Sequence, residues 1–257
     1  LLILLSNDDG VSSEGLQSLR KAFSKTDDVW VVAPESERTC IAHAITLHKP
    51  LRIKDLGDRV FSTNGTPADS VLLALKVVLP GKPDLVISGI NKGPNMGQDV
   101  SYSGTVAAAR EGAFSGCVSI AASLNGRSAF LFDDAVRTVL DIVERVRASR
   151  LPPATLLNVN IPNIPYDQVN GLMVTSLGKR IYNGNIIERM DPRGGPYYWI
   201  GGDAEGFEPI PGTDLHSVDL GYVSLTPLHW DLTSYAVMGQ FKSIFLGGND
   251  ENDAFHP

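Results

Sequence analysis

The chain opens on Leu1-Leu2-Ile3-Leu4-Leu5-Ser6-Asn7-Asp8-Asp9-Gly10. Five apolar residues in a row, stopped at once by polar turn residues, predict a short strand buried on both faces. Two adjacent carboxylates, Asp8 and Asp9, sit at its tip. Carboxylates at the end of a buried strand are costly unless something neutralises them. A hard divalent cation suits them, because Mg²⁺, Ca²⁺ and Mn²⁺ favour oxygen ligands. A solvated turn is the competing reading, since Asp-Gly is a common turn dipeptide.

Further along, the same kind of strand alternates with helices. Val29–Ala33 is an apolar run stopped by Pro34, and Leu85–Ser88, Cys117–Ala122 and Leu156–Asn160 are three more. Between them, Ser13–Ser24, Ala68–Leu79, Thr105–Phe114 and Phe132–Arg147 carry helical spacing. The last shows an apolar stripe of Phe132, Ala135, Val136, Val139, Leu140, Val143 and Val146. Val60–Ser62 is a further short strand, and Gly89 to Gly104 reads as a Gly-rich loop. Such alternation predicts an α/β fold, doubly wound on a mostly parallel sheet. Residues 1–165 are expected to form one Rossmann-like domain. Past Pro165 the pattern turns to short β segments, at 173–175, 197–200 and 221–226, among many Gly, Pro and Asp. Residues 166–257 are therefore expected to be a β-rich extension with a C-terminal segment, suited either to oligomer contacts or to a plain structural role.

Composition narrows the function classes. The 257 residues are 43% hydrophobic and 20% charged, with a formal net charge of -7. An acidic balance argues against a general nucleic-acid binder, so no DNA partner is expected. No run of 18 apolar residues suggests a membrane span. The first apolar run lacks a basic flank and ends after five residues, as a strand does and a signal peptide does not. Cytoplasm is the expected location. Cys40 and Cys117 form no CxxC pair, so free thiols are expected and no zinc ribbon.

In this fold class ligands bind beyond the carboxyl ends of the strands. Three loops share that position: the Asp8-Asp9 turn, residues 34–46, and residues 88–105. Asn91 offers a neutral carbonyl oxygen beside the carboxylates, and Thr39 a hydroxyl. Ser103, Gly104 and Thr105 lie where a helix begins, where free N–H groups and the helix dipole favour a phosphate. Arg38 could meet a phosphate or pair with Glu35 or Glu37. His43 could act as a general acid, although an ordinary loop histidine is the simpler reading. Tyr102 could stack on a base or merely pack.

These motifs resemble the SurE family, the stationary-phase survival proteins known as 5′/3′-nucleotidases. The matching stretches are Ser6–Gly10, Gly65–Pro67, Ser88–Asn91, Gly93–Ala109, Asp191–Gly194, Gly212–Asp214, and Thr226–His229 followed by Asp231–Thr233. The resemblance implies a metal-dependent phosphomonoesterase that hydrolyses nucleoside 5′- or 3′-monophosphates. It implies one divalent ion, Mg²⁺ or Mn²⁺, held by Asp8, Asp9, Asn91 and Thr39, with Thr39 standing where the family usually has serine. It places Asn95, Ser103, Gly104 and Thr105 at the phosphate, and Asp8 and Asp9 in catalysis. A metal-activated water and direct attack by an aspartate both remain compatible with these residues. A homodimer or homotetramer built through the C-terminal segment is also implied. One stretch departs from the family. Where it commonly reads Asp-Arg-Asn-Arg-Ser-Gly and then Ala-Ser-Asn, this chain has Glu35 to His43, losing an Arg and a Gly and gaining an acid.

Two other classes compete. A non-catalytic nucleotide-binding or phosphoreceiver module also carries paired acids after its first strand, but needs an acceptor Asp after a later one. Here that strand leads to Ser88-Gly89-Ile90-Asn91 instead. A haloacid-dehalogenase-like phosphatase needs an Asp-x-Asp spacing that adjacent Asp8 and Asp9 lack.

Overall fold

The structure is a computed structural model, and it describes residues 1–182, 186–200 and 206–246. Seven strands appear first: β1 (Leu2–Ser6), β2 (Asp28–Pro34), β3 (Ile53–Asp55), β4 (Val60–Thr63), β5 (Leu85–Lys92), β6 (Val118–Asn125) and β7 (Leu156–Pro162). Four helices lie between them: α1 (Glu14–Phe23), α2 (Pro67–Leu73), α3 (Gly104–Phe114) and α4 (Phe132–Ala148). Beyond residue 170 come β8 (Leu172–Val174), β9 (Arg180–Ile181), β10 (Ile186–Met190), β11 (Pro196–Ile200), β12 (Gly206–Phe207) and β13 (Val223–Leu228). Helices α5 (Asp214–Asp219) and α6 (Tyr235–Leu246) complete the set.

Nine strands make one sheet in the order β3-β4-β2-β1-β5-β6-β7-β13-β8. From β4 to β7 every pair is parallel. The α/β architecture expected from the alternating pattern is the one found. Chain direction across the sheet reverses at β1: β2 lies on one side and β5 on the other. That reversal opens a crevice at the carboxyl ends of β1 and β5.

Side-chain alternation along β1 sets the two faces. Ile3 and Leu5 point to a core shared with Leu16, Leu19 and Phe23 of α1 and Val136, Val139 and Val143 of α4. Leu4 points to the other side, with Val71 of α2 and Ala108 of α3. The small residues Ala107, Ala108 and Ala109 are fully covered, so α3 lies close on the sheet. Gly112 permits that approach, since a Cβ there would come within 2.8 Å of the Val86 side chain. Thr66 caps α2 by accepting from the Asp69 N–H while Asp69 accepts from the Thr66 N–H, and Pro67 fills the first turn. The Gly65–Pro67 motif is thus a helix start. From Ala74 to Val78 the helix widens into a π turn.

Three features differ from the pattern read in the sequence. Strand β5 does not stop at Ser88 but continues to Lys92, with a register shift against β6 between Ser88 and Asn91. The Gly-rich stretch is therefore strand, then loop, then a 3₁₀ turn at Gly97–Ser101. The segment past residue 165 also enters the main sheet: β13 pairs antiparallel with β7 and parallel with β8. Outside that sheet lie the β10–β11 hairpin and the short β9–β12 pair. Helix α6 was not legible, because its apolar residues run all round rather than on one stripe, and none of them is buried. Cys40 is exposed and Cys117 buried, both as free thiols. Among the described residues no helix is long and apolar enough to cross a membrane.

Phe23 is fully buried at the end of α1. Phe23→Ala is expected to cost about 3–5 kcal/mol, from lost burial and the cavity left behind. Urea unfolding followed by circular dichroism checks this.

Candidate active site

The crevice holds a cavity of about 850 Å³. Asp8 and Asp9 reach it from the turn after β1, Asn91 and Lys92 from the end of β5. Glu37, Thr39 and Cys40 come from the loop after β2, and Asn95, Tyr102 and Ser103 from the approach to α3.

The acid turn is built by short-range bonds. Asn7 is fully buried, and its side-chain N–H groups donate to the Gly10 carbonyl at 3.0 Å and Ser13 Oγ at 2.6 Å. Gly10 takes φ +98°, which favours glycine, and its missing Cβ makes room for the backbone of Ser36 at 3.2 Å. Gly15 is required for packing: a Cβ there would sit 2.1 Å from the Ile90 carbonyl oxygen. The start of α1 thus rests on the irregular part of β5 that delivers Asn91.

Asp8 is 6% exposed, and its Oδ1 accepts the Thr105 hydroxyl at 2.6 Å. Asp9 Oδ2 accepts the Lys92 backbone N–H at 3.3 Å. Asn91 donates its side-chain N–H to the Gly93 carbonyl at 2.9 Å, which leaves its oxygen as an acceptor. The Thr39 hydroxyl donates to Glu37 Oε1. Ser103 caps α3, accepting from the Val106 N–H at 3.0 Å. Asn95 is held in a buried polar network: its side-chain N–H bonds Ser123 Oγ at 2.8 Å, its backbone N–H bonds Asn160 Oδ1 at 2.8 Å, and its carbonyl accepts from Asn158 and Asn160.

Seen together, the eight residues singled out in the sequence fall into two sets. Asp8, Asp9, Thr39, Asn91, Asn95 and Ser103 all line the cavity. Thr105 is fully buried behind Asp8, and Gly104 packs against it, since a Cβ at Gly104 would lie 2.8 Å from Asp8 Cβ. His43 lies elsewhere: its Nε2 meets Glu111 Oε2 at 3.0 Å and its ring stacks on Phe114. Arg38 turns to the Asn64 carbonyl, not to Glu35 or Glu37.

Comparison with known proteins identifies the family of the chain. The model of the family described as "Survival protein SurE" matches residues 3–184. The chain belongs to the SurE family. It is 48% identical over 242 residues to a protein of Citrifermentans bemidjiense named 5′-nucleotidase SurE, covering 94% of this chain and 98% of that one. A protein of the same name from Mannheimia succiniciproducens is 48% identical over 240 residues, covering 93% and 97%. The crystal structure of the SurE protein from Aquifex aeolicus superposes with a TM-score of 0.86 at 43% identity, covering 95% of this chain and 99% of that one.

In this SurE chain, several positions that build the site carried no chemical motif. Ser123, Asn158 and Asn160 are strand residues, legible only as polar residues inside buried runs. Asp214, by contrast, ends the Gly212–Asp214 stretch matched above; fully buried, it accepts from the Gly97 N–H at 2.8 Å and the Gly178 N–H at 2.7 Å. It thereby fixes the turn that leads to Ser103. Tyr182 also lines the cavity and donates its hydroxyl to Asp99, which in turn pairs with Arg180.

Burial pushes the Asp8 carboxyl up to about 6; the Thr105 hydroxyl opposes the rise and the Asp9 charge adds to it. Burial likewise raises Asp9, against the Lys92 N–H and ammonium and with help from Glu37. An acid raised in the folded state costs stability, fully above about pH 6 and not at all below the unfolded value near 4. Asp8→Asn retains an acceptor for Thr105 and removes the buried charge. With chelator present, it is expected to raise the unfolding free energy by up to about 3 kcal/mol near pH 8, a gain that vanishes near pH 4. Thermal melts across that range test the sign.

Proposed function

We propose that this chain is a metal-dependent phosphomonoesterase that releases phosphate from nucleoside monophosphates, the 5′ esters first among them. The observation that carries the reading is the placement of two crowded carboxylates, Asp8 and Asp9, with the Asn91 oxygen at the strand-order reversal, facing the α3 N-terminus. The names of the relatives support the 5′-nucleotidase assignment.

The donor set fits one Mg²⁺ or Mn²⁺. Asp8, Asp9, Asn91 and Thr39 offer oxygens only, as a hard cation prefers. Among the described residues no cluster of three or more His, Cys, Asp or Glu is arranged as a metal site, so the neutral oxygens of Asn91 and Thr39 are needed to complete it. When bound, the ion would neutralise the acid pair and polarise the phosphoryl group. The protein's own groups do the rest. Thr105 fixes the orientation of Asp8. Ser103 and the first N–H groups of α3 favour phosphate oxygens, and Asn95 is held rigidly beside them by Ser123 and Asn160.

Self-association belongs to the same reading. On the β10–β11 hairpin Ile186, Ile187, Tyr198, Trp199 and Ile200 are all exposed, as are Phe241, Ile244, Phe245 and Leu246 on α6. A two-stranded hairpin with so much exposed apolar surface is not stable alone in water. A second copy of the chain, giving a dimer or tetramer, is the occupant we propose.

Two outcomes are expected. A panel of nucleoside monophosphates should yield phosphate with Mg²⁺ or Mn²⁺ and not with EDTA, and Asp9→Asn should lower kcat/KM on the order of 100-fold or more. Equal turnover in EDTA would refute the metal assignment. In sedimentation velocity the full chain should run larger than a monomer, and Trp199→Asp should shift it toward the monomer.

A further inference from the structure

Glu37 sits on the loop segment that departs from the SurE pattern, and its position is closely set. The loop is pinned on either side of it: the Glu35 N–H donates to the Thr63 carbonyl at 2.8 Å and the Arg38 N–H to the Asp8 carbonyl at 2.8 Å. The Glu37 backbone nitrogen lies 3.4 Å from where a Gly10 Cβ would stand, so the residue abuts the acid turn itself. Its side chain lines the cavity and accepts the Thr39 hydroxyl. It is near enough to Asp9 for its charge to be felt there.

The charge balance of the cavity makes this residue matter. Among the described residues four carboxylates line it, those of Asp8, Asp9, Glu37 and Asp99, against one ammonium, that of Lys92. Asp8 and Asp9 are the pair a divalent ion would neutralise. Asp99 is paired with Arg180. Among the described residues Glu37 has no cation within ion-pair distance. Among the described residues it is therefore an uncompensated negative charge of the site.

We propose that Glu37 is a specificity-determining residue that restricts the site to terminal monophosphates and disfavours substrates with further phosphates in a chain. This rests on the phosphomonoesterase reading above. A phosphate monoester carries about two negative charges at neutral pH. Inorganic tripolyphosphate and nucleoside triphosphates carry more, and their extra charge must lie along the cavity wall beyond the bound phosphoryl group. Glu37 is exposed to the solvent of the cavity. Its repulsion is consequently moderate, works at a distance, and is weakened by salt.

The test is the ratio of kcat/KM for tripolyphosphate to that for a nucleoside monophosphate, with free metal held constant. Glu37→Gln is expected to raise the ratio about tenfold and Glu37→Lys further. In the wild type added salt should raise the ratio, and in Glu37→Gln this salt dependence should flatten. A ratio unchanged by both substitutions would overturn the proposal, as would a salt dependence that survives Glu37→Gln. Wild-type protein that releases no phosphate from any monophosphate would instead overturn the phosphomonoesterase reading, so the two failures are distinguishable.

Discussion

The carboxylate of Asp8 is buried at the tip of β1, and the elements around the crevice are arranged about that charge. Burial alone would favour its protonation. Thr105 donates to it from α3, and Asp9 crowds it from the next position. The close approach of α3 depends on Gly104, where any side chain would collide with Asp8. The same demand for space recurs at Gly15, against Ile90, and at Gly10, against the loop after β2. Glycines thus bring three backbones close enough for short side chains to share one cavity. A fold that keeps such a charge gives up stability at neutral pH, a common trade at functional sites.

The loop after β2 is held by contacts to four different elements. It is bonded to β4 through Thr63, to the acid turn through Asp8, to the α3 approach through Tyr102, and to α2 through Thr66 and Asp69. His43 adds a contact to Glu111 on α3. Between these anchors Cys40 and Ala42 adopt φ of +55° and +53°, a region costly for residues with a Cβ. The anchors offset that strain. They also keep Thr39 and Glu37 at the cavity wall beside the acid pair.

The C-terminal segment has two kinds of role. Asp214 and β13 are buried parts of the main body: one clamps the turn before α3, the other extends the sheet beside β7. The β10–β11 hairpin and α6 are apolar and uncovered. Tyr182, in the segment before the hairpin, and Ile200, at the end of β11, link the two roles, since both line the cavity. Any partner that covers the hairpin would therefore lie near the mouth of the site.

Strand order apart, most of the fold was legible in the residues. Continuous apolar runs, the stripe on α4 and the turn residues at Asp8-Asp9-Gly10 act over a few positions, and each showed its element. The acid pair, Asn91 and Ser103 were legible because turns and helix starts constrain residue type locally. What the sequence could not show were the bonds between distant positions. Thr105 reads as a helix-start phosphate ligand, yet it is spent on Asp8, 97 residues away in the chain. His43 reads as a loop residue near the chemistry, yet Glu111 and Phe114 draw it aside. Asn158 and Asn160 carry no local signal, because their partner Asn95 lies 63 and 65 residues off, and Asp214 reads only as the end of a short motif, yet it holds Gly97, 117 residues away. The sequence by itself determined most of the elements, α6 and the end of β5 apart, and the chemical inventory. Only the tertiary structure decided which groups share the cavity, because packing across the sheet, and not local pattern, fixes where a side chain finds its partner.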